Sequence, residues 1–101
     1  MLTAPINGNT IAQIAIIAAP GAGRRIVVLG FFLSVAGAQT LKFQSASNDL
    51  MPAMTLGLGQ SIAMGPYYDG IFDCNVNEAL NMTLTAAQQT SGMILYTIRP
   101  G

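Results

Sequence analysis

The sequence predicts an all-β fold: a compact antiparallel β-sandwich, jelly-roll-like, with about eight short strands. Three observations predict it. Turn signals recur about every eight to twelve residues along the 101-residue chain, the spacing of a sandwich or barrel. Two segments alternate cleanly between apolar and polar side chains, as half-buried strands do. The runs between turns are rich in β-branched and aromatic residues, which suit a pleated surface. Short strands joined by glycine-rich turns in a chain of this length fit two packed sheets, and the jelly roll is an eight-stranded arrangement of that kind.

The elements follow in chain order. Residues 1–9 are expected as an N-terminal arm, because Leu2 and Ile6 are apolar, Pro5 favours extended backbone and no core strand claims them. Asn7-Gly8-Asn9 then opens an isoleucine-rich run over 10–19, closed by Pro20-Gly21-Ala22-Gly23. Residues 24–35 carry the strongest strand signal, with Ile26, Val27, Val28, Phe31, Phe32 and Val35; Gly30 in their midst marks a bulge or a close backbone approach. Past Ala36-Gly37-Ala38, residues 39–45 alternate, with Thr40, Lys42 and Gln44 on one face and Leu41, Phe43 and Ser45 on the other.

A loop over 46–49 leads to an irregular, edge-like stretch over 51–56 and a short strand over 60–64. Gly65-Pro66-Tyr67-Tyr68-Asp69-Gly70 is the most turn-rich segment. Another short strand covers 71–75, and Leu80, Met82 and Leu84 then alternate with Asn81, Thr83 and Thr85. Residues 86–91 read as a helical turn or a loop, and the last strand covers 93–98. Only 76–80 competes for a short helix. No linker or internal repeat divides the chain, so residues 1–101 form one domain.

Charge narrows the function. Four Lys/Arg balance four Asp/Glu, and charged residues make up 8% of the chain against about 25% in ordinary soluble domains. Zero net charge lacks the basic footprint of a nucleic-acid binder, so no nucleic-acid partner is expected. With no histidine and one cysteine, the usual zinc sites, Ser-His-Asp triads and disulfide frameworks cannot be built. The longest apolar stretches, 14–19 and 26–33, fall short of the ~20 residues of a spanning helix. The N-terminus lacks the basic region of a secretory signal, and no membrane partner is expected.

A monomer of this mass would expose about 5,400 Å². Few charges and 51% hydrophobic residues argue that uncharged Ser, Thr, Asn and Gln coat the surface, that other protein covers part of it in an oligomer or a larger assembly, or both.

The motifs that invite chemistry fail on inspection. Ala19-Pro20-Gly21-Ala22-Gly23-Arg24-Arg25 precedes a strand, whereas a phosphate loop precedes a helix and ends in Lys-Ser/Thr. Gly57-Leu58-Gly59-Gln60-Ser61-Ile62 lacks the third glycine of a dinucleotide fingerprint. Asp69, Asp73 and Glu78 have no histidine, lysine or ligand set beside them. Cys74 shares a strand face with Phe72 and reads as a small buried hydrophobe rather than a reactive thiolate. Asn81-Met82-Thr83 matches a glycosylation sequon by chance. No cofactor and no enzymatic activity are expected.

The residues that suit a partner contact are Leu2 and Ile6 of the arm, Arg24 and Arg25, and Tyr67 and Tyr68. Paired arginines form bidentate bonds to carboxylates, and aromatic loop tips are enriched at interfaces.

Several stretches resemble small virion proteins of tailed bacteriophages. They are residues 28–45 with Ala36-Gly37-Ala38-Gln39-Thr40-Leu41-Lys42-Phe43, then Glu78-Ala79-Leu80-Asn81-Met82-Thr83-Leu84, then Ser91-Gly92-Met93-Ile94-Leu95-Tyr96, and the Gly-Gln-Ser-Ile-Ala-Met run ending at Met64. The group includes capsid decoration (cement) proteins and the knobs of head and tail fibres. The resemblance implies a β-sandwich, often a homo-trimer, that sits on the capsid surface against the major capsid protein and does no chemistry. A fibre or receptor-binding knob is the first alternative, and a lectin-like carbohydrate-binding module the second. The absence of tryptophan counts against the lectin, and the absence of a visible stem against the knob.

Overall fold

The computed structural model describes residues 2–101, and Met1 lies outside them. Ten strands form: β1 (Leu2–Gly8), β2 (Gln13–Ile17), β3 (Arg24–Val35), β4 (Gln39–Ser45), β5 (Asn48–Asp49), β6 (Met54–Leu56), β7 (Ser61–Met64), β8 (Phe72–Asp73), β9 (Leu80–Leu84) and β10 (Thr90–Pro100). The first sheet has the order β1-β10-β3-β7, with β8 also on β3; the second has the order β2-β9-β4-β5, with β6 also on β4. All pairings are antiparallel.

β5 and β6 take one position beside β4, and β7 and β8 one beside β3. The ladders therefore fill eight positions in the jelly-roll order, with the chain crossing between the sheets from each position to the next except from β4 to β5 and β6, which pair on β4 in the same sheet. Ten strands replace the eight expected because both edge positions break into short pieces. Glycine, proline and turn residues interrupt them at 50–53 and 65–71.

Alternation places the core. Leu80, Met82 and Leu84 of β9 face inward beside Leu41 and Phe43 of β4, all at 1% exposure or less. Across the gap, Ile26, Val28, Phe31 and Leu33 of β3 and Ile94 of β10 complete it. Phe43 is the hinge of the two layers, with its ring centroid 5.2 Å from Phe31 and 5.7 Å from Phe72. These tilted pairs add to the hydrophobic burial itself.

The expected N-terminal arm is a strand. Leu2–Gly8 pairs along β10 from Leu2↔Tyr96 to Gly8↔Thr90. Ala4, Ile6 and Gly8 turn inward, and Ile6 is only 2% exposed. Pro5 is tolerated because β1 is a sheet edge, where a missing N–H costs no interior ladder bond. The isoleucine-rich run shortens to β2, and the last strand begins at Thr90 rather than 93. No helix forms among the described residues. At 76–80 the chain turns instead, with Asn77 at φ 55° and Glu78 N donating to the Asn75 carbonyl at 3.2 Å.

Gly30 marks both features expected of it. Leu95 pairs with Gly30 and Tyr96 with Val28, so Leu29 is an extra, bulged residue. A Cβ on Gly30 would lie 2.6 Å from the Met64 carbonyl oxygen and 3.1 Å from Pro66 Cα. The bulge reverses the inward–outward phase of β3, so Val28 and Phe31 both reach the core and Phe32 faces out.

Candidate interaction surface

The two outer faces of the sandwich differ in chemistry. On the second sheet the outward side chains are amides, hydroxyls and one ion pair, and they bind one another. Gln44 Oε1 accepts from Gln13 Nε2 at 2.8 Å and from Thr83 Oγ1 at 2.5 Å, and its Nε2 donates to Asp49 Oδ1 at 3.0 Å. Lys42 pairs with Asp49 at 3.1 Å, the Thr40 and Thr55 hydroxyls meet at 3.1 Å, and Asn81 Nδ2 donates to the Ala46 carbonyl at 2.9 Å. The Gln44 amide and Lys42 hold the Asp49 carboxyl below its ordinary value.

The first sheet presents an apolar row instead. Register aligns Pro5, Met93, Phe32 and Ala63 side by side across β1, β10, β3 and β7. Phe32 is 50% exposed. The next row, Asn7, Ser91, Ser34 and Ser61, is polar and uncharged. Beyond it lie the loops 9–12, 36–38, 57–60 and 85–89, also without charge, with Ile11 and Leu58 exposed at their tips.

Charge collects at the opposite end, where β3 begins and β10 finishes. Arg25 is the register partner of Arg99 and forms an ion pair with Asp73. Arg24 is exposed and has no ion-pair partner among the described residues. Its carbonyl accepts from Asn77 N at 2.7 Å, which ties down the turn before Glu78. Ser45 Oγ donates to Glu78 Oε1 at 2.6 Å and Asn75 Nδ2 donates to it at 3.0 Å; these bonds keep the Glu78 carboxyl below its ordinary value. Cys74 is buried beside them, and burial pushes its thiol up.

The tyrosine loop borders this charged end. Tyr67 N donates to the carbonyl of the bulged Leu29 at 2.8 Å, Gly70 N to the Tyr67 carbonyl at 3.0 Å, and Ile71 N to the Val28 carbonyl at 2.7 Å. Arg99 Nη2 reaches across β3 to the Tyr68 carbonyl at 2.8 Å. Gly65 and Gly70 take the positive φ values, 78° and 90°, that the turn requires. The backbone is thus anchored on both sides while Tyr67 and Tyr68 project, 55% and 90% exposed.

Of the residues singled out from sequence, the fold brings Arg25 and Tyr68 into one neighbourhood through Arg99, with Arg24 beside them at the strand end. Leu2, 49% exposed, starts the edge strand opposite Tyr96 and stands apart from that group. Ile6 is a core residue and cannot serve as a surface contact. Sequence reasoning missed Phe32, Met93, Pro5 and Ala63, because only the sheet register and the bulge put them in one row.

Among the described residues, no group of three or more His, Cys, Asp or Glu stands together to hold a metal ion. No protein-family model matches the chain, and no curated protein matches it.

Proposed function

We propose that this chain is a non-enzymatic capsid decoration (cement) protein of a tailed phage, bound to the major capsid protein on the outer surface of the head. The observation that carries this reading is the anchored tyrosine loop beside the arginines. A loop held by four backbone-directed hydrogen bonds loses little freedom when it docks, and Tyr and Arg are the side chains most often found at interface hot spots. The jelly-roll sandwich supports the same reading, as does the scarcity of charge over the rest of the surface. Arg24 supplies a free guanidinium for an acidic coat residue, while Arg25 is already paired with Asp73.

The test is occupancy on heads assembled without this protein. Wild-type protein binds and raises their melting temperature, since a ligand of the assembled state stabilises it by mass action. Tyr68→Ala and Arg24→Ala each weaken binding by about 30-fold or more, the scale of an interfacial hot spot. Point variants are preferable to deleting residues 2–6, which would remove a strand from the first sheet. Failure of the wild type to bind, or binding that leaves head melting unchanged, overturns the reading and turns the search to fibre and receptor contacts.

A further inference from the structure

The apolar row of the first sheet contains a knob and a hole side by side. Phe32 projects from the sheet, and next to it lies an open groove of about 430 Å³ lined by Phe32, Ser34, Ser61, Ala63, Ser91 and Gly92. The groove exists because its neighbours are small. Ser34, Ser61, Ala63 and Ser91 stand on the outward rows beside it and carry only short side chains. A volume of ~150 Å³ already accepts a benzene ring, so a phenyl side chain fits.

We propose that this face pairs with the same face of a second copy of the chain. The two-fold axis runs across the strands and seats each Phe32 in the serine-rimmed groove of the other. Three observations favour a second copy as the occupant. The rows Pro5-Met93-Phe32-Ala63 and Asn7-Ser91-Ser34-Ser61 hold no charge, so like faces meet without repulsion. A knob beside its own hole is self-complementary, which is the geometry of an isologous two-fold contact; a trimer would need two different patches. An axis across the strands also sends the arginines of the two copies to opposite ends, whereas an axis along the strands would bring them together.

The area is sufficient and small. Four strands about 4.8 Å apart over about 25 Å of length give roughly 500 Å² per copy. Two copies then cover about 1,000 Å², the lower bound for a specific interface. The dimer is therefore expected to dissociate in the micromolar range. The inference does not rest on head binding, and either can fail alone.

Sedimentation equilibrium from about 1 to 100 μM spans the dissociation expected of so small an interface. The mass rises from 10.5 kDa towards twice that value. Phe32→Asp stays monomeric throughout, and so does Ser34→Arg, which fills the groove without touching the knob. Thr83→Asp, on the outer face of the second sheet, dimerises like the wild type. Circular dichroism melts check that each variant is folded, and if one is not, the other decides. A wild-type monomer or trimer across the range overturns the proposal. So does a dimer that both first-sheet variants leave intact, or one that Thr83→Asp abolishes.

Discussion

Gln39 and Ala86 form a two-way pair: Ala86 N donates to Gln39 Oε1 at 2.9 Å, and Gln39 Nε2 donates to the Ala86 carbonyl at 2.8 Å. The side-chain amide thereby acts as a short piece of strand, closing the loop between β9 and β10 where backbone pairing stops. Thr85 N and the Gln88 carbonyl join the same amide at 3.2 Å. The Gln39 amide is itself buried, 2% exposed, and the bonds it makes to the loop are part-buried. Gln39→Leu should cost about 1–2 kcal/mol, because it leaves part-buried backbone groups without their partner. Urea unfolding at unchanged slope would measure it, and the Ala86 amide should exchange hydrogen faster.

Two phenylalanines of the sandwich should respond very differently to truncation. Phe43 is fully buried between Phe31 and Phe72, and Phe43→Ala should cost about 3–5 kcal/mol. Phe32→Ser, at a half-exposed site, should cost the monomer only about 1 kcal/mol. Unfolding at sub-micromolar concentration separates the two; comparable losses would contradict the assigned facing of β3.

Strands 24–35 and 39–45 were legible in sequence because they combine β-branched and aromatic residues with flanking glycines. The alternation of Leu41, Phe43 and Ser45 against Thr40, Lys42 and Gln44 also assigned the buried face of β4 correctly, although Gln44 is itself largely covered by its own hydrogen bonds. The phase of β3 was not legible. An unbroken apolar run hides which side faces out, and the Leu29 bulge shifts the answer by one residue. β1 escaped notice for a different reason. Its inward side chains are Ala4, Ile6 and Gly8, two of them too small to announce a core strand. Gly8 is small out of need, since a Cβ there would meet Ile14 Cδ1 at 2.6 Å and Leu84 Cδ1 at 2.9 Å. Within the candidate site, Tyr67, Tyr68 and Arg24 could be picked out locally, whereas Arg99 as the anchor of the loop needed the third dimension.

Acid should loosen the fold through Glu78 and Asp49. Both carboxyls sit below their ordinary values of 4.5 and 3.8 in the folded chain. The unfolded chain therefore binds protons first as pH drops. Their stabilisation is complete above those ordinary values and is lost as pH falls through the lowered folded ones. The melting temperature should fall across that window. Ser45→Ala removes the leading cause at Glu78 and should move that carboxyl back towards 4.5, as carboxyl-carbon NMR titration would read.

Cys74 should be chemically silent in the native protein. It is 2% exposed and burial raises its thiol, so thiolate is scarce and access is blocked. Iodoacetamide at mildly alkaline pH should leave it unlabelled until denaturant is added. Rapid native labelling would mean that the β8 edge opens readily.

The separation of charge from apolar surface makes ionic strength a selector. Contacts made through Arg24 and its neighbours weaken as salt screens them over a Debye length of about 8 Å at physiological strength. Contacts made through Phe32 and Met93 strengthen under excluded salts such as sulfate, which favour apolar burial. A single variable therefore drives the two ends of one small domain in opposite directions. If both proposed contacts form, dilute buffer favours the one at the arginine end and concentrated sulfate the one at the phenylalanine face.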